Sequence, residues 1–301
     1  MTHVWAVILG VAQGTAEFLP ISSTAHLKML PWLFGMNDSM LSSSTYDIAL
    51  HAGSLVALVL ALWNDWVELL RSALGMPQLQ RRTKLARFAE VTAQAEPIEL
   101  VPEPMHHPAF ARRFLGFLVA TSVPGAVFGF LFEQQVEKYS TPTEFHGAPL
   151  LVGSCLIAFG VLLWAFDRYH TRAEPLQSMT WTRALVIGAA QALSLIPGVS
   201  RSGATMTAGR ALGLSREATA RYSFMAGLPI IAGAAVFGLR NVQLSQLLSL
   251  DWVLGFVAAA VTSVVLMRWM LEYVKRHSFK IFMWYRVALG VLLIVVFFVR
   301  G

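Results

Sequence analysis

"VILGVAQGTAEFLPISST" (residues 7–24) and "VIGAAQALSLIPGVSRSG" (residues 186–203) are two versions of one pattern. Each begins as an apolar segment, passes through Ala-Gln, and breaks at a proline that serines follow. The arms on either side of each proline are too short to cross a bilayer alone, so each stretch is predicted to form a re-entrant helical hairpin. About 25 residues after each proline a tyrosine, Tyr46 or Tyr222, opens a longer apolar run.

Six uninterrupted apolar runs of 18 or 19 residues separate and follow these hairpins. They are residues 46–63, 114–132, 149–166, 222–239, 252–270 and 281–299. Each is long enough to cross a membrane as a helix. Hydrophobic residues make up 56% of the chain and charged residues only 13%, against about 25% charged in soluble domains. The sequence therefore predicts an all-α integral membrane protein with six transmembrane helices plus two re-entrant hairpins, in one membrane domain, 1–301.

The hairpins divide the chain into two similar halves, about 4–166 and 184–299, each with one hairpin and three spans. Because three is an odd number, the second half must enter the membrane in the opposite orientation. The halves are thus expected to form an inverted repeat, an architecture whose sites lie where the broken helices meet.

Basic residues orient the protein in the membrane. Loops 64–113, 167–183 and 271–280 hold most of the loop Lys and Arg, whereas the alternate loops hold few, Lys138 and Arg240. The positive-inside rule then places the three basic loops in the cytoplasm and both termini on the outer side. The net charge of +6 is accordingly interpreted as topology and attraction to lipid, and not as nucleic-acid binding. Segment 78–108 is a soluble insertion, interpreted as a solvated cytoplasmic loop.

The first hairpin carries ionisable groups where a membrane makes them expensive, which usually indicates function. Glu17 follows Gln13 by four residues, so the two side chains share a helix face. Three hydroxyl residues after Pro20 suit the start of the next helix, whose N-terminus favours a bound anion: Ser22, Ser23 and Thr24. His26 lies three residues beyond Ser23, on the same side. A nucleophile, a general acid or base and an orienting carboxylate therefore occur within ten residues. The alternative is that these serines only form hydrogen bonds to backbone groups left unpaired where the helix breaks.

The second hairpin adds a cation. In "PGVSRSGAT" (residues 197–205), Arg201 offers a planar fork of donors that matches phosphate oxygens. The surrounding small and hydroxyl residues complete a predicted phosphate-binding nest: Ser200, Ser202, Gly203 and Thr205. The alternative is that Arg201 only pairs with Glu17 across the repeat interface. Elsewhere, Asp47 and His51 are spaced i, i+4 and could together bind a metal ion, although polar residues at the ends of spans are common. Arg286 is interpreted either as an anchor of the last helix at the membrane interface or as the partner of an acidic residue.

At these residues the chain resembles the undecaprenyl pyrophosphate phosphatase family (BacA/UppP). Four motifs carry the resemblance in order: "AEFLPISSTAHL", "YDIALHAGSL", "PGVSRSGAT" and "FMWYRVALG". The resemblance implies an inner-membrane hydrolase that converts undecaprenyl diphosphate to undecaprenyl phosphate and inorganic phosphate. This reaction recycles the lipid carrier for peptidoglycan, and excess enzyme confers bacitracin resistance. Implied partners are the polyprenyl diphosphate lipid and membrane lipids, with a homodimer left open.

The resemblance also assigns roles. It implies Glu17, Ser23, His26 and Arg201 as the catalytic residues and a divalent cation, Mg²⁺ or Ca²⁺, that Glu17 helps to hold. Arg201 is expected to stabilise the phosphoryl charge, and Ser23 or a water is expected to attack the phosphorus. His26 is expected to transfer the proton. Glu17 is expected either to orient His26 or to bind the cation. One departure is Gln13, where the family commonly has an acid.

Two other functions compete with hydrolysis. A polyprenyl-phosphate carrier or flippase suits the inverted repeat, and Gln13 weakens the case for hydrolysis. A type 2 phosphatidic acid phosphatase requires a Lys-Arg-Pro motif, and this chain has no Arg-Pro dipeptide, which excludes that family.

Overall fold

The computed structural model describes residues 2–36, 38, 41, 43–77, 107–238, 240, 242 and 249–300. Across these residues the secondary structure is helical apart from one isolated bridge between Glu174 and Leu214. The α-helices are α1 (Thr2–Phe18), α2 (Ser23–Phe34), α3 (Ser44–Ala73), α4 (Pro108–Ser140), α5 (Ala148–Tyr169), α6 (Trp181–Leu193), α7 (Arg201–Ala211), α8 (Arg216–Gly238), α9 (Leu250–Arg276) and α10 (Lys280–Arg300). A short 3₁₀ helix, Leu176–Ser178, precedes α6.

Six of the described helices, α3, α4, α5, α8, α9 and α10, are long and apolar enough to cross a membrane. Each coincides with one of the six apolar runs, so the predicted all-α membrane fold with six spans is confirmed. Most of these helices extend beyond their runs, and α3 continues to Ala73, because polar residues continue a helix past the apolar core of a span. The division into two repeats and the re-entrant placement of the short helices stay predictions, and residues 78–106 of the insertion lie outside the described part.

The two broken stretches fold as helix–turn–helix pairs with the same turn geometry. Ser22 caps α2 and Ser200 caps α7, both at φ 75°, and they are the only non-glycine residues with positive φ in the described chain. Each hydroxyl accepts a hydrogen bond from a backbone N–H three residues on, of Ala25 or Gly203. Such a conformation costs about 1–3 kcal/mol per residue and clusters at functional sites. The shared strain therefore marks both turns as candidates.

Each hairpin packs against a long helix from the other half of the chain. The first hairpin packs through α1 against α9, and the second packs through α6 against α4. The α1–α9 contact is close at Gly14, because a Cβ there would lie 2.5 Å from the Ala259 carbonyl oxygen. The third spans, α5 and α10, pack against each other beside the hairpins. This interlacing brings both strained turns to the centre of the molecule.

Candidate active site

Arg201 and Glu17 form an ion pair where the two hairpins meet. The Nη2 atom of Arg201 lies 3.2 Å from Oε1 of Glu17 and also donates to the Glu17 carbonyl at 3.4 Å. Its Nη1 atom donates to the Ser223 carbonyl of α8 at 3.0 Å. Both side chains are largely buried, at 12% and 6% exposed. The pair that the sequence offered as an alternative is therefore present, and it joins α1, α7 and α8.

Two further side chains surround the Glu17 carboxylate. The Gln13 amide donates to Oε2 at 3.1 Å, as the i, i+4 spacing predicts. The Nε2 atom of His51 in α3 lies 3.8 Å from the same oxygen. The other ring nitrogen of His51 must carry the proton, because it donates to the Asp47 carbonyl at 2.7 Å. Sequence reasoning considered His51 only with Asp47, and it missed this contact because α1 and α3 meet only through the fold.

Arg286 connects the two strained turns. Its guanidinium is fully buried and donates to four backbone carbonyls: Leu156, Pro20, Gly198 and Val199, at 3.0 or 3.1 Å. Pro20 belongs to the first turn, and Gly198 and Val199 belong to the second. The sequence interpretation of Arg286 as an interfacial anchor or the partner of an acid is wrong, since all its described hydrogen bonds go to backbone oxygens. An arginine inside an apolar run was itself the signal for such a role.

The hydroxyl residues of the second hairpin mostly build the turn. Ser202 donates to the Leu19 carbonyl of the first hairpin at 3.0 Å, and its hydroxyl lies 3.2 Å from that of Ser200. Thr205 donates to carbonyls of its own helix and lies 2.7 Å from the Ser223 hydroxyl. Gly203 supplies the N–H that Ser200 binds. These groups hold the Arg201 backbone at the start of α7.

Ser23 occupies the corresponding place in the first hairpin. It is the first residue of α2, as Arg201 is the first residue of α7. Ser23 and Thr24 are partly exposed, and neither hydroxyl has a hydrogen-bond partner within the described chain. The Ser23 hydroxyl is thus available to a ligand at a helix N-terminus, where N–H groups and the helix dipole favour an anion.

His26 is held by groups other than those the sequence suggested. Its Nδ1 atom donates to the Ser22 carbonyl at 2.7 Å, so in the neutral ring Nε2 accepts from the Tyr285 hydroxyl at 2.6 Å. The two rings are also stacked, with centroids 5.7 Å apart. Tyr285, not Glu17, therefore orients His26, and within the described chain neither ring nitrogen bonds to Ser23.

The Asp47 carboxylate forms an ion pair with Lys28. Lys28 of α2, a buried cation that the sequence reading passed over, lies 2.8 Å from Asp47 and 3.2 Å from Glu137 of α4. The Asp47 and His51 metal hypothesis is therefore not supported, because the Asp47 carboxylate is neutralised by Lys28.

Glu17 and Gln13 supply the candidate oxygen ligands for the divalent cation that the resemblance implies. The described residues contain no cluster of three or more His, Cys, Asp or Glu that could hold an ion. However, Oε1 of Gln13 is buried without a hydrogen-bond partner in the described chain, next to the Glu17 carboxylate. Mg²⁺ commonly binds through one or two carboxylates plus substrate phosphate oxygens. Gln13 and Glu17 are a suitable oxygen pair for that arrangement.

The same site retains an unused donor for an anion. The buried Nε–H of Arg201 has no acceptor among the described residues, although the rest of its guanidinium is paired. Unpaired buried polar groups are uncommon, and a bound ion is one of the recognised explanations for them. Together, the fold and site define a multi-span helical membrane protein with a candidate anion site at two paired hairpin turns.

Comparison with known proteins agrees with this class. The family described as "Bacitracin resistance protein BacA" matches residues 6–292. The chain is 38% identical over 300 residues to the undecaprenyl-diphosphatase of Moorella thermoacetica, with all of both chains covered. It is 39% identical over 289 residues to the undecaprenyl-diphosphatase of Gemmatimonas aurantiaca, covering 96% of each. The chain belongs to the BacA family.

Proposed function

We propose that this protein hydrolyses undecaprenyl diphosphate to undecaprenyl phosphate and inorganic phosphate in the bacterial inner membrane, with both termini on the outer side. The observation that carries the proposal is the Arg201–Glu17 pair between two strained helix N-termini. Hydrolysis of a phosphoanhydride requires charge stabilisation, an in-line nucleophile and a proton for the leaving phosphate. The site offers a group for each requirement.

Arg201 and the N-termini of α2 and α7 stabilise the phosphoryl charge. The arginine exchanges part of its bond with Glu17 for phosphate oxygens and adds its unused Nε–H. The two helix N-termini supply further donors to the same anion. Arg286 acts indirectly, because it fixes the carbonyls of both turns and so keeps the N-termini in place.

Ser23 or a water bound beside it attacks the terminal phosphorus, and the bond to the bridging oxygen breaks. With Ser23, undecaprenyl phosphate leaves and a phosphoserine forms, which water then hydrolyses to inorganic phosphate; with water as the nucleophile, undecaprenyl phosphate leaves and inorganic phosphate forms in one step. His26, oriented by Tyr285, exchanges the proton with the nucleophile or the leaving phosphate after the Tyr285 bond loosens. Glu17 and Gln13 would hold the divalent cation, which when bound neutralises phosphate charge.

Phosphate release by the purified protein tests this function. In detergent, undecaprenyl diphosphate should yield inorganic phosphate, and a chelator should lower the rate until Mg²⁺ or Ca²⁺ is restored. A carrier or flippase needs two compartments, so it would release no phosphate in detergent while moving the lipid across proteoliposomes. That outcome would contradict the proposal.

A further inference from the structure

A second feature lies beside the candidate active site: an apolar groove between α4 and the second hairpin. Its volume is about 510 Å³. Its walls are one face of α4 from Pro124 to Tyr139, Leu151 of α5, the end of α6, and the turn residues 195–197. Gln135 and Tyr139 are the only polar side chains in its lining.

The groove exists because the two halves differ at this point. In the first hairpin Gln13 is followed by Gly14, which lets α1 pack tightly onto the unbroken helix α9. In the second hairpin the matching Gln191 is followed by Ala192, which has a Cβ and lines the groove. Its partner α4 contains Pro124 and loses helical geometry at Phe132, with φ −121° and ψ 18°. Helices bend at such positions, and the groove lies along this part of α4.

The groove is continuous with the candidate site along the chain. Ile196 and Pro197 form part of its wall. The next two residues give their carbonyls to Arg286, and Ser200 and Arg201 follow at once as the cap and first residue of α7. A ligand whose anionic end binds Arg201 therefore has an apolar surface within a few residues of that end.

We propose that this groove binds the first isoprene units of the polyprenyl diphosphate, next to its diphosphate. The inference rests on the proposed function and adds a tail-binding site to it. A volume of 510 Å³ is within the usual range for a bound small molecule, so a short part of the tail fits and the remainder stays in the bilayer. Free bilayer lipids compete poorly, because the bound diphosphate tethers the tail and gives it a high effective concentration at the groove.

Filling the groove tests the inference. Ala192→Phe places a ring in the groove, and Leu193→Trp fills it from the neighbouring position if the first variant folds poorly. The matched control is Ala158→Phe, at an exposed alanine of α5 outside the groove. For each purified protein, kcat/KM is measured with undecaprenyl diphosphate and with methyl diphosphate, which has the diphosphate but no isoprene unit.

The groove variants should lose about tenfold in kcat/KM on undecaprenyl diphosphate, through KM, which corresponds to roughly two buried CH₂ groups. The loss on methyl diphosphate should be clearly smaller, because it has no isoprene unit to enter the groove, and the control should match the unsubstituted protein on both substrates. Equal losses on both substrates, or no loss, would overturn the inference. The inference would also be overturned if the groove variants kept normal kinetics but lost a co-purifying phospholipid, because the groove would then hold a bilayer lipid. Loss of a dimer with normal kinetics would likewise show that the groove binds a second copy of the chain. If the unsubstituted protein hydrolyses neither substrate, the proposed function fails instead.

Discussion

Gly227 lies in α8 directly beside the Arg201 guanidinium, so Gly227→Ala is a precise way to displace that cation without removing it. A Cβ at position 227 would lie 2.6 Å from Nη1 of Arg201 and 2.9 Å from its Cζ. Ordinary contact begins at 3.4 Å, so the guanidinium has to move by about 0.8 Å to reach it. A misplacement of about 1 Å can cost about 100-fold in rate. We therefore expect the rate of phosphate release to fall by about that factor.

Gly233→Ala in the same helix is the matched control, because a Cβ there meets nothing within 4 Å. Alanine in a helix interior is more stable than glycine by about 0.5–1 kcal/mol, so the control should keep its activity and melt at the same or a slightly higher temperature. Gly227→Ala should also stay folded, since the displaced atoms are the end of a flexible side chain. The assay is the initial rate of phosphate release together with thermal unfolding in detergent. Full activity in Gly227→Ala would refute the claim that the position of Arg201 sets the rate.

Three further substitutions test separate parts of the site. Ser23→Ala should cost about 10³-fold or more in phosphate release if serine attacks; activity within about tenfold of the parent would leave only the water mechanism. Gln13→Glu places a second carboxylate beside Glu17, so a titration should show a lower Mg²⁺ or Ca²⁺ concentration at half-maximal activity. Superimposable titration curves would mean that position 13 does not contact the cation. Arg286→Lys leaves some of four buried carbonyls unpaired, at about 1–3 kcal/mol each, and should lower both the melting temperature and the rate. An unchanged melting temperature would show that the two turns hold their geometry without the guanidinium.

The spans and the hairpin turns could be predicted because their signals are local. A run of 18 apolar residues defines a span whatever surrounds it, and a proline followed by serines breaks a helix and caps the next one. Thus the caps Ser22 and Ser200, and the spacing of Gln13 and Glu17, follow from the sequence. The choice of Arg201 as the phosphate ligand also followed from local signals, since its planar donors lie among glycines and hydroxyl residues, and the resemblance to a known family added its catalytic role.

The missed contacts all join residues far apart in the chain. His26 bonds to Tyr285, 259 residues away, and Arg286 reaches Pro20 over 266 residues. Such pairs depend on how helices pack and rotate, which periodicity within one segment does not specify. The lone charges were still visible signals: Arg286 and Lys28 lie in apolar surroundings, where an unpaired cation is costly. The sequence indicates that such residues need partners, and only the fold identifies them.

The account depends most on Arg201 as a bidentate ligand of the phosphoryl group, and Arg201→Lys tests this directly. Lysine keeps the positive charge and can still pair with Glu17, but it lacks the planar fork that spans Glu17 and Ser223. The measurement is the initial rate of phosphate release from undecaprenyl diphosphate by the folded, purified variant at saturating Mg²⁺ or Ca²⁺. The account predicts a loss of about 100-fold or more, close to that of Arg201→Ala. A rate near that of the unsubstituted protein would contradict it.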